Sequence, residues 1–245
     1  MTMSRAWHDL LSALGLLSRL PLPAHSGRGA EAAWAYPLAG AVLGALAGLT
    51  GMIALGIGLG AEAAAVITLG VSVMLTGALH EDGLADCADG LWGSHLRERR
   101  LEIMKDSRTG AYGVIALVLG LLARWIGLSA LLAGDHAWLA IVGIAAVSRG
   151  TMPALMATLP HARSTGLSHA IGKAPPICAA LAALIGGCIA VLCLGVSGII
   201  AIFIAALAAL IIARIAIAKI GGQTGDVLGA TQQISEIALL LALTA

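Results

Sequence analysis

An all-α, polytopic membrane bundle of about seven spans is the fold this sequence predicts. Three observations carry that reading. Of 245 residues, 59% are hydrophobic and 11% are charged, whereas soluble domains carry roughly 25% charged residues. The mean hydropathy is +0.97. The apolar residues fall in long runs, near the ~20 residues that take a helix across a bilayer. They do not form the short alternating segments of a membrane barrel. A single integral membrane domain covers 1–245, with no internal repeat or linker.

Taken in order, residues 5–20 place Trp7, Leu10, Leu11, Leu14 and Leu17 at helical spacing. This predicts an amphipathic helix lying in the membrane interface. Asp9 and Arg19 flank its short apolar run and no small-residue cleavage site precedes Pro21, so it does not read as a cleavable signal peptide. Trp34 and Tyr36 follow where an aromatic belt is expected. Apolar runs then occur at 36–58, 61–79, 110–133, 137–158, 176–196, 197–218 and 232–245, the last of them short. The first carries Gly40, Gly44 and Gly48 four apart, a spacing that lets helices approach closely. Such a face serves within one chain or between subunits, which leaves a homo-oligomer open. Cys87, Cys178, Cys188 and Cys193 form no CxxC pair and read as free thiols.

The net charge of +1 gives no reason to expect a nucleic-acid partner. The placement of charge says more. Arg5, Arg19, Arg28, Arg97, Arg99, Arg100, Lys105, Arg108, Arg163, Lys173 and Lys219 all fall on one side of a seven-span threading. The opposite connections, near 59–62, 134–137 and 196–198, contain no Lys or Arg. Positive loops mark the cytoplasmic side. Four segments then share that face: 1–35, 80–109, 159–175 and 219–231.

The acids concentrate on it too. In "HEDGLADCADG" (80–90), Asp82, Asp86 and Asp89 stand at i, i+4 and i+7. On a helix they span roughly 60° of arc and about 10 Å of length. No cation lies between them, and like charges at this spacing repel. Mg²⁺ suits such a row, since it binds one or two carboxylates and takes its other ligands from water and phosphates. The lack of His or Cys in the row argues against zinc. A solvated acidic face paired with Arg97, Arg99 or Arg100 is the plainer alternative. Glu81 joins the row only if it flanks the helix; it reads as ligand, general base or entry residue.

Three further stretches point to phosphate chemistry. Lys105, Asp106 and Arg108 precede the return into the membrane at Gly110. Asp106 adds a carboxylate, and Arg108 or Lys105 can hold phosphate oxygens; an ordinary ion pair is the alternative. In "KIGGQTGDVLGA" (219–230), Gly221, Gly222 and Gly225 free the backbone to offer N–H groups, beside Thr224 and Asp226. Arg124, Arg149 and Arg214 lie inside apolar runs, where charge faces the bundle interior or a polar cavity. Arg149 is expected to face a phosphate-binding cavity, with a buried acid as its alternative partner. Together these features suit metal-assisted attack on a pyrophosphate.

The stretches "HEDGLADCADG" and "RRLEIMKDSRTGAYG" (99–113) resemble the bacterial cobalamin synthase family, the adenosylcobinamide-GDP ribazoletransferases. "LLSRLPLP" (16–23), "AVSRG" (146–150) and "GGQTGDVLGA" (221–230) agree in order and spacing across the whole chain. Cys87 and Trp92 depart from the residues expected there, and neither is an acid.

The resemblance implies an inner-membrane, multi-pass transferase with its active face cytoplasmic. Its substrates are adenosylcobinamide-GDP and α-ribazole or its 5′-phosphate. A ribose hydroxyl attacks the pyrophosphate, GMP leaves, and adenosylcobalamin or its phosphate forms, with Mg²⁺ as cofactor. On this view Asp82, Asp86 and Asp89 bind Mg²⁺, Asp106 and Asp226 complete its shell or activate the hydroxyl, and Arg108 and Arg149 grip phosphate. The logic is that of CDP-alcohol phosphotransferases, although their acid signature is not the one present. A transporter of a phosphorylated precursor and a non-catalytic assembly subunit are the rival classes. The gathering of polar residues at one face favours the enzyme.

Overall fold

The computed structural model describes residues 5–244; the first four residues of segment 1–35 and the last of run 232–245 lie outside it. Helix α1, Arg5–Leu17, buries Leu11, Leu14 and Leu17 against the rest of the chain. Leu11, Leu14 and Leu17 of its apolar stripe therefore pack on protein, while Trp7 stays exposed. A 3₁₀ helix, Gly29–Ala35, leads into α2, Tyr36–Gly56, whose first turn is set by Pro37. Trp34 donates its indole N–H to Asp9 Oδ2 at 2.8 Å. Tyr36 is buried, so it does not stand in an interfacial belt.

The remaining helices are α3 (Ala61–Thr76), α4 (Leu79–Trp92), α5 (Arg97–Ile103), α6 (Ala111–Leu132), α7 (Ala137–Gly150), α8 (Met152–Thr158), α9 (Leu167–Ile171), α10 (Pro176–Leu194), α11 (Ser197–Ile220) and α12 (Gly225–Ala242). No strand occurs among the described residues; one isolated bridge joins His161 to Gln223. The architecture is all-helical, as the sequence predicts.

The helices long and apolar enough to span number five among the described residues, or six if one bent pair is a single span, against the seven expected. Among the described residues the five are Gly29–Gly56, Ala111–Leu132, Ala137–Thr158, Pro176–Leu194 and Ser197–Ile220. They match five of the expected runs. The run at 61–79 is instead half of a broken pair. α3 ends on Gly77 and Ala78, both left-handed (φ 62° and 58°), and α4 leaves at 86° to α3. Ala rarely adopts this conformation, so the break is held by its surroundings, with Arg19 packed over Gly77. The run at 232–245 belongs to α12, which carries Gln232, Gln233, Ser235 and Glu236 in the interior. Other helices surround it, so it does not need the apolar surface of a lipid-facing span.

Lipid-facing residues are evident elsewhere. Leu119 and Leu122 on α6, Leu192 on α10 and Phe203 and Leu207 on α11 are exposed, as a bilayer requires and water does not. α7 is the central span and is mostly buried. The Gly40–Gly44–Gly48 face packs on it. A Cβ at Gly44 would lie 2.7 Å from Ala145 Cβ, and one at Gly40 would collide with the Ala145 carbonyl. The close-approach motif is thus used within one chain.

The polar segments meet at one end of the bundle. Arg97 donates to the carbonyls of Ile220 and Ala162 at 2.8 and 2.7 Å. Gly29 approaches the Ile171 carbonyl. Segments 1–35, 80–109, 159–175 and 219–231 therefore share a face.

Candidate active site

The acids of α4 owe their position to a crossing of small residues. Gly83 of α4 faces Asp226 and Gly229 of α12. A Cβ at Gly83 would lie 2.8 Å from the Asp226 carbonyl, and one at Gly229 would lie 3.3 Å from His80 Cα. Two backbones approach this closely only where side chains are absent. The crossing brings Asp226, in the first turn of α12, beside Asp82 and Asp86. Asp82, Asp226 and Arg163 line one cavity of about 140 Å³. Asp86, partly buried on the same helix face, feels the charges of Asp82, Asp226 and Arg163.

Asp226 is also fixed from its own side. Thr224 caps α12, accepting from the Val227 N–H at 3.3 Å, and its hydroxyl donates to Asp226 Oδ2 at 3.1 Å. Arg163 Nη2 lies 3.2 Å from the same oxygen. Arg163 Nη1 is buried without a hydrogen-bond partner. Three carboxylates face one guanidinium here, an excess of negative charge that a hard cation would balance.

Asp89 is turned away from this group. Its two oxygens accept from the N–H groups of Gly110 and Gly113, at 2.7 and 2.9 Å. It ties the C-terminal half of α4 to the start of α6, satisfying donors that helix N-termini leave open. Glu81 points into the bundle. Arg124 donates to it at 2.6 Å and sits 2.9 Å from Glu236 Oε1. Gln233 donates to Glu81 at 3.2 Å. Arg149 completes this interior network: its Nη1 is 3.8 Å from Glu236 and hydrogen-bonds the Ala145 carbonyl. The structure thus places Arg149 beside a buried acid, away from the Asp82–Asp226 cavity.

Asp106 and Arg108 pair with each other, at 2.6 Å, in a largely exposed loop. The guanidinium holds the Asp106 carboxyl down at about 2. Lys105 reaches across to the Thr165 hydroxyl at 3.1 Å. Arg97 and Arg100 bind backbone carbonyls at the C-terminus of α11, where a helix leaves them free. Arg99 pairs with Glu102. None of the three neutralises the acidic row.

The Gly-rich loop is built into the wall. Gly221 caps α11 at φ 78°. Gly222 lies against the Pro160 carbonyl, where a Cβ would collide. The Gln223 N–H bonds that carbonyl at 2.8 Å. The Gly221 and Gln223 N–H groups are occupied by backbone carbonyls; Gly225 lines the cavity.

Among the described residues, no three His, Cys, Asp or Glu side chains stand in an arrangement that would itself hold a metal ion. The donors nevertheless fit Mg²⁺ in kind. Asp82, Asp86 and Asp226 offer hard oxygens, and that ion takes much of its shell from water and substrate phosphate.

Sequence reasoning does not single out Arg163 or Glu236, and it sets His80 aside as a structural residue outside the acidic arc. Arg163 was visible only as loop charge. Glu236 is an acid in an apolar run, the same signal that singled out the interior arginines. His80 had no signal beyond its place beside Glu81.

The model of the family described as cobalamin-5-phosphate synthase matches residues 9–244. A Mesorhizobium japonicum protein named adenosylcobinamide-GDP ribazoletransferase is 46% identical, over 95% of this chain and 91% of its own. Proteins of the same name from Bradyrhizobium diazoefficiens and Brucella ovis are 44% and 41% identical, over 95% and 96% of this chain and 92% and 95% of theirs. No solved structure matches. With the match running through the acidic helix, the Arg163 loop and α12 alike, the chain belongs to the cobalamin-5-phosphate synthase family.

Proposed function

We propose that this chain is an adenosylcobinamide-GDP ribazoletransferase acting at the polar end of its bundle, and that this end faces the cytoplasm from the inner membrane. The ribose hydroxyl of α-ribazole, or of its 5′-phosphate, attacks the corrinoid-bearing phosphorus of adenosylcobinamide-GDP. The bond to the bridging oxygen breaks and GMP leaves. The hydroxyl proton passes to a carboxylate, and adenosylcobalamin or its phosphate is formed.

The observation that carries this reading is the grouping of Asp82, Asp226 and Arg163 around one cavity, with Asp86 electrostatically coupled to all three. Asp82, Asp86 and Asp226 would hold Mg²⁺, which neutralises phosphate charge as the bond breaks. Arg163 directs its free Nη1 to a phosphate oxygen. Asp86, more shielded than Asp82, is the carboxylate placed to take the hydroxyl proton. Asp89 fixes the helix that carries both. Lys105 and Arg108, in the exposed loop at the polar end, attract the anionic substrate.

Purified protein in nanodiscs, given adenosylcobinamide-GDP and α-ribazole with Mg²⁺, should release GMP and form the corrinoid product. Uptake of precursor by proteoliposomes without GMP release would overturn the reading.

A further inference from the structure

Resting on the transferase reading, the cavity behind Asp82 has a second feature that phosphate chemistry does not use. His80 is 1% exposed, and both its ring nitrogens are buried without a partner. It lines the same cavity of about 140 Å³. Away from Asp82, Arg163 and Asp226 the wall is mostly apolar, with Leu16, Leu17, Leu79, Met152 and Met156 beside Tyr36 and Ser168. Buried polar atoms are nearly always hydrogen-bonded, so two open nitrogens on one ring call for a ligand.

We infer that this cavity receives the base of the acceptor nucleoside, with His80 as the residue that binds it. Its volume is close to the ~150 Å³ of cavities that take up one aromatic ring, and its partly open mouth leaves room for the rest. Methionine sulfur and methyl groups suit the faces of such rings. A neutral imidazole carries one donor and one acceptor. The benzimidazole of α-ribazole has one free ring nitrogen, which accepts from the donor; a ribose hydroxyl donates to the other nitrogen. Guanine is the poorer match. Its polar edge needs several partners, and the Ser168 hydroxyl in the wall already donates to Gln223 at 2.6 Å. The arrangement sets the ribose between His80 and the carboxylates, so the hydroxyl faces the pyrophosphate.

The test uses full-length protein in nanodiscs. Calorimetric affinity for α-ribazole and steady-state KM for both substrates are measured in wild type, His80→Ala, His80→Gln and Met156→Trp, with melting temperature as a check on folding. His80→Ala should weaken α-ribazole binding about tenfold or more and raise its KM, leaving the KM for adenosylcobinamide-GDP within about twofold. His80→Gln, which keeps a donor and an acceptor, should recover part of the loss. Met156→Trp should abolish binding by filling the cavity. Two results would overturn the inference: folded variants that bind α-ribazole as wild type does, or variants that lose GDP binding while keeping α-ribazole binding. If Met156→Trp melts early, the His80 pair decides alone. Wild type that binds neither α-ribazole nor its 5′-phosphate and releases no GMP with either would instead overturn the transferase reading itself.

Discussion

Arg163 Nη2 lies 3.2 Å from Asp226 Oδ2, while Nη1 of the same guanidinium is buried and unpaired. A planar fork with one arm anchored and one arm free is suited to a phosphate oxygen. Arg163→Lys keeps the charge and loses the fork. We expect kcat/KM for adenosylcobinamide-GDP to fall by about 10- to 100-fold, with α-ribazole affinity retained. Steady-state GMP release checks this; unchanged kinetics would leave the arginine a purely structural partner of Asp226.

Asp82, Asp86 and Asp226 should behave as a set, and Asp89 should not. Asp86→Asn or Asp226→Asn should lower kcat by more than about 100-fold and shift the Mg²⁺ dependence to higher concentration. Asp89→Asn removes a charged acceptor from two N–H groups of α6. Its cost should appear first as about 1–2 kcal/mol of stability. Thermal melts in detergent beside Mg²⁺ titrations separate the two cases. The division fails if Asp89→Asn keeps wild-type melting but alters the Mg²⁺ requirement.

The interior network holds two acids, Glu81 and Glu236, against two arginines, Arg124 and Arg149. Removing one member leaves an unbalanced charge in the bundle. Glu236→Gln should destabilise by about 3–5 kcal/mol. Pairing it with Arg149→Met should recover part of that loss, because the charges then balance. Additive losses in the double variant would show that the two residues are not coupled.

Asp106 offers a pH test. Its carboxyl is held down at about 2 by the Arg108 side-chain and backbone hydrogen bonds. A lowered folded value means the pair's contribution is present above the unfolded pKa of about 3.9 and is lost as pH falls through about 2. Asp106 therefore stays ionised throughout the neutral range. Asp106→Asn should leave the shape of the pH–rate profile unchanged between about pH 5 and about pH 9. A displaced acidic limb would show that Asp106 titrates in the reaction after all.

The helical class and five spans were legible because lipid-facing helices carry their signal residue by residue. So was the sharing of one face by segments 80–109, 159–175 and 219–231, since charge alone sorts loops across a bilayer. The i, i+4, i+7 row was legible as spacing but not as function. Asp82 lines the cavity and Asp86 is coupled to it by charge, while Asp89 is claimed by the N-cap of α6, Gly110, 21 residues further along the chain. Gly83 and Gly229 explain why Asp226 joins them, and no local pattern pairs two glycines so far apart. Asp106 and Arg108 looked ready for metal and phosphate because a carboxylate and a guanidinium two residues apart also suit each other. The run at 232–245 reads as a short span because only the C-terminal part of α12 is apolar; the helix begins at Gly225, and its polar residues are buried in protein.

The interior network also constrains how the molecule is made. In chain order its charges arrive as Glu81, Arg124, Arg149 and, in the final helix, Glu236. As α6 and α7 leave the ribosome, two arginines enter the apolar phase with one carboxylate between them. Charge within hydrocarbon is costly until it is paired. The early helices therefore hold an unfinished electrostatic account until α12 threads between them. Synthesis order and bundle closure are thereby linked: the helix that brings Asp226 to the carboxylates is also the one whose Glu236 lets the two arginines settle.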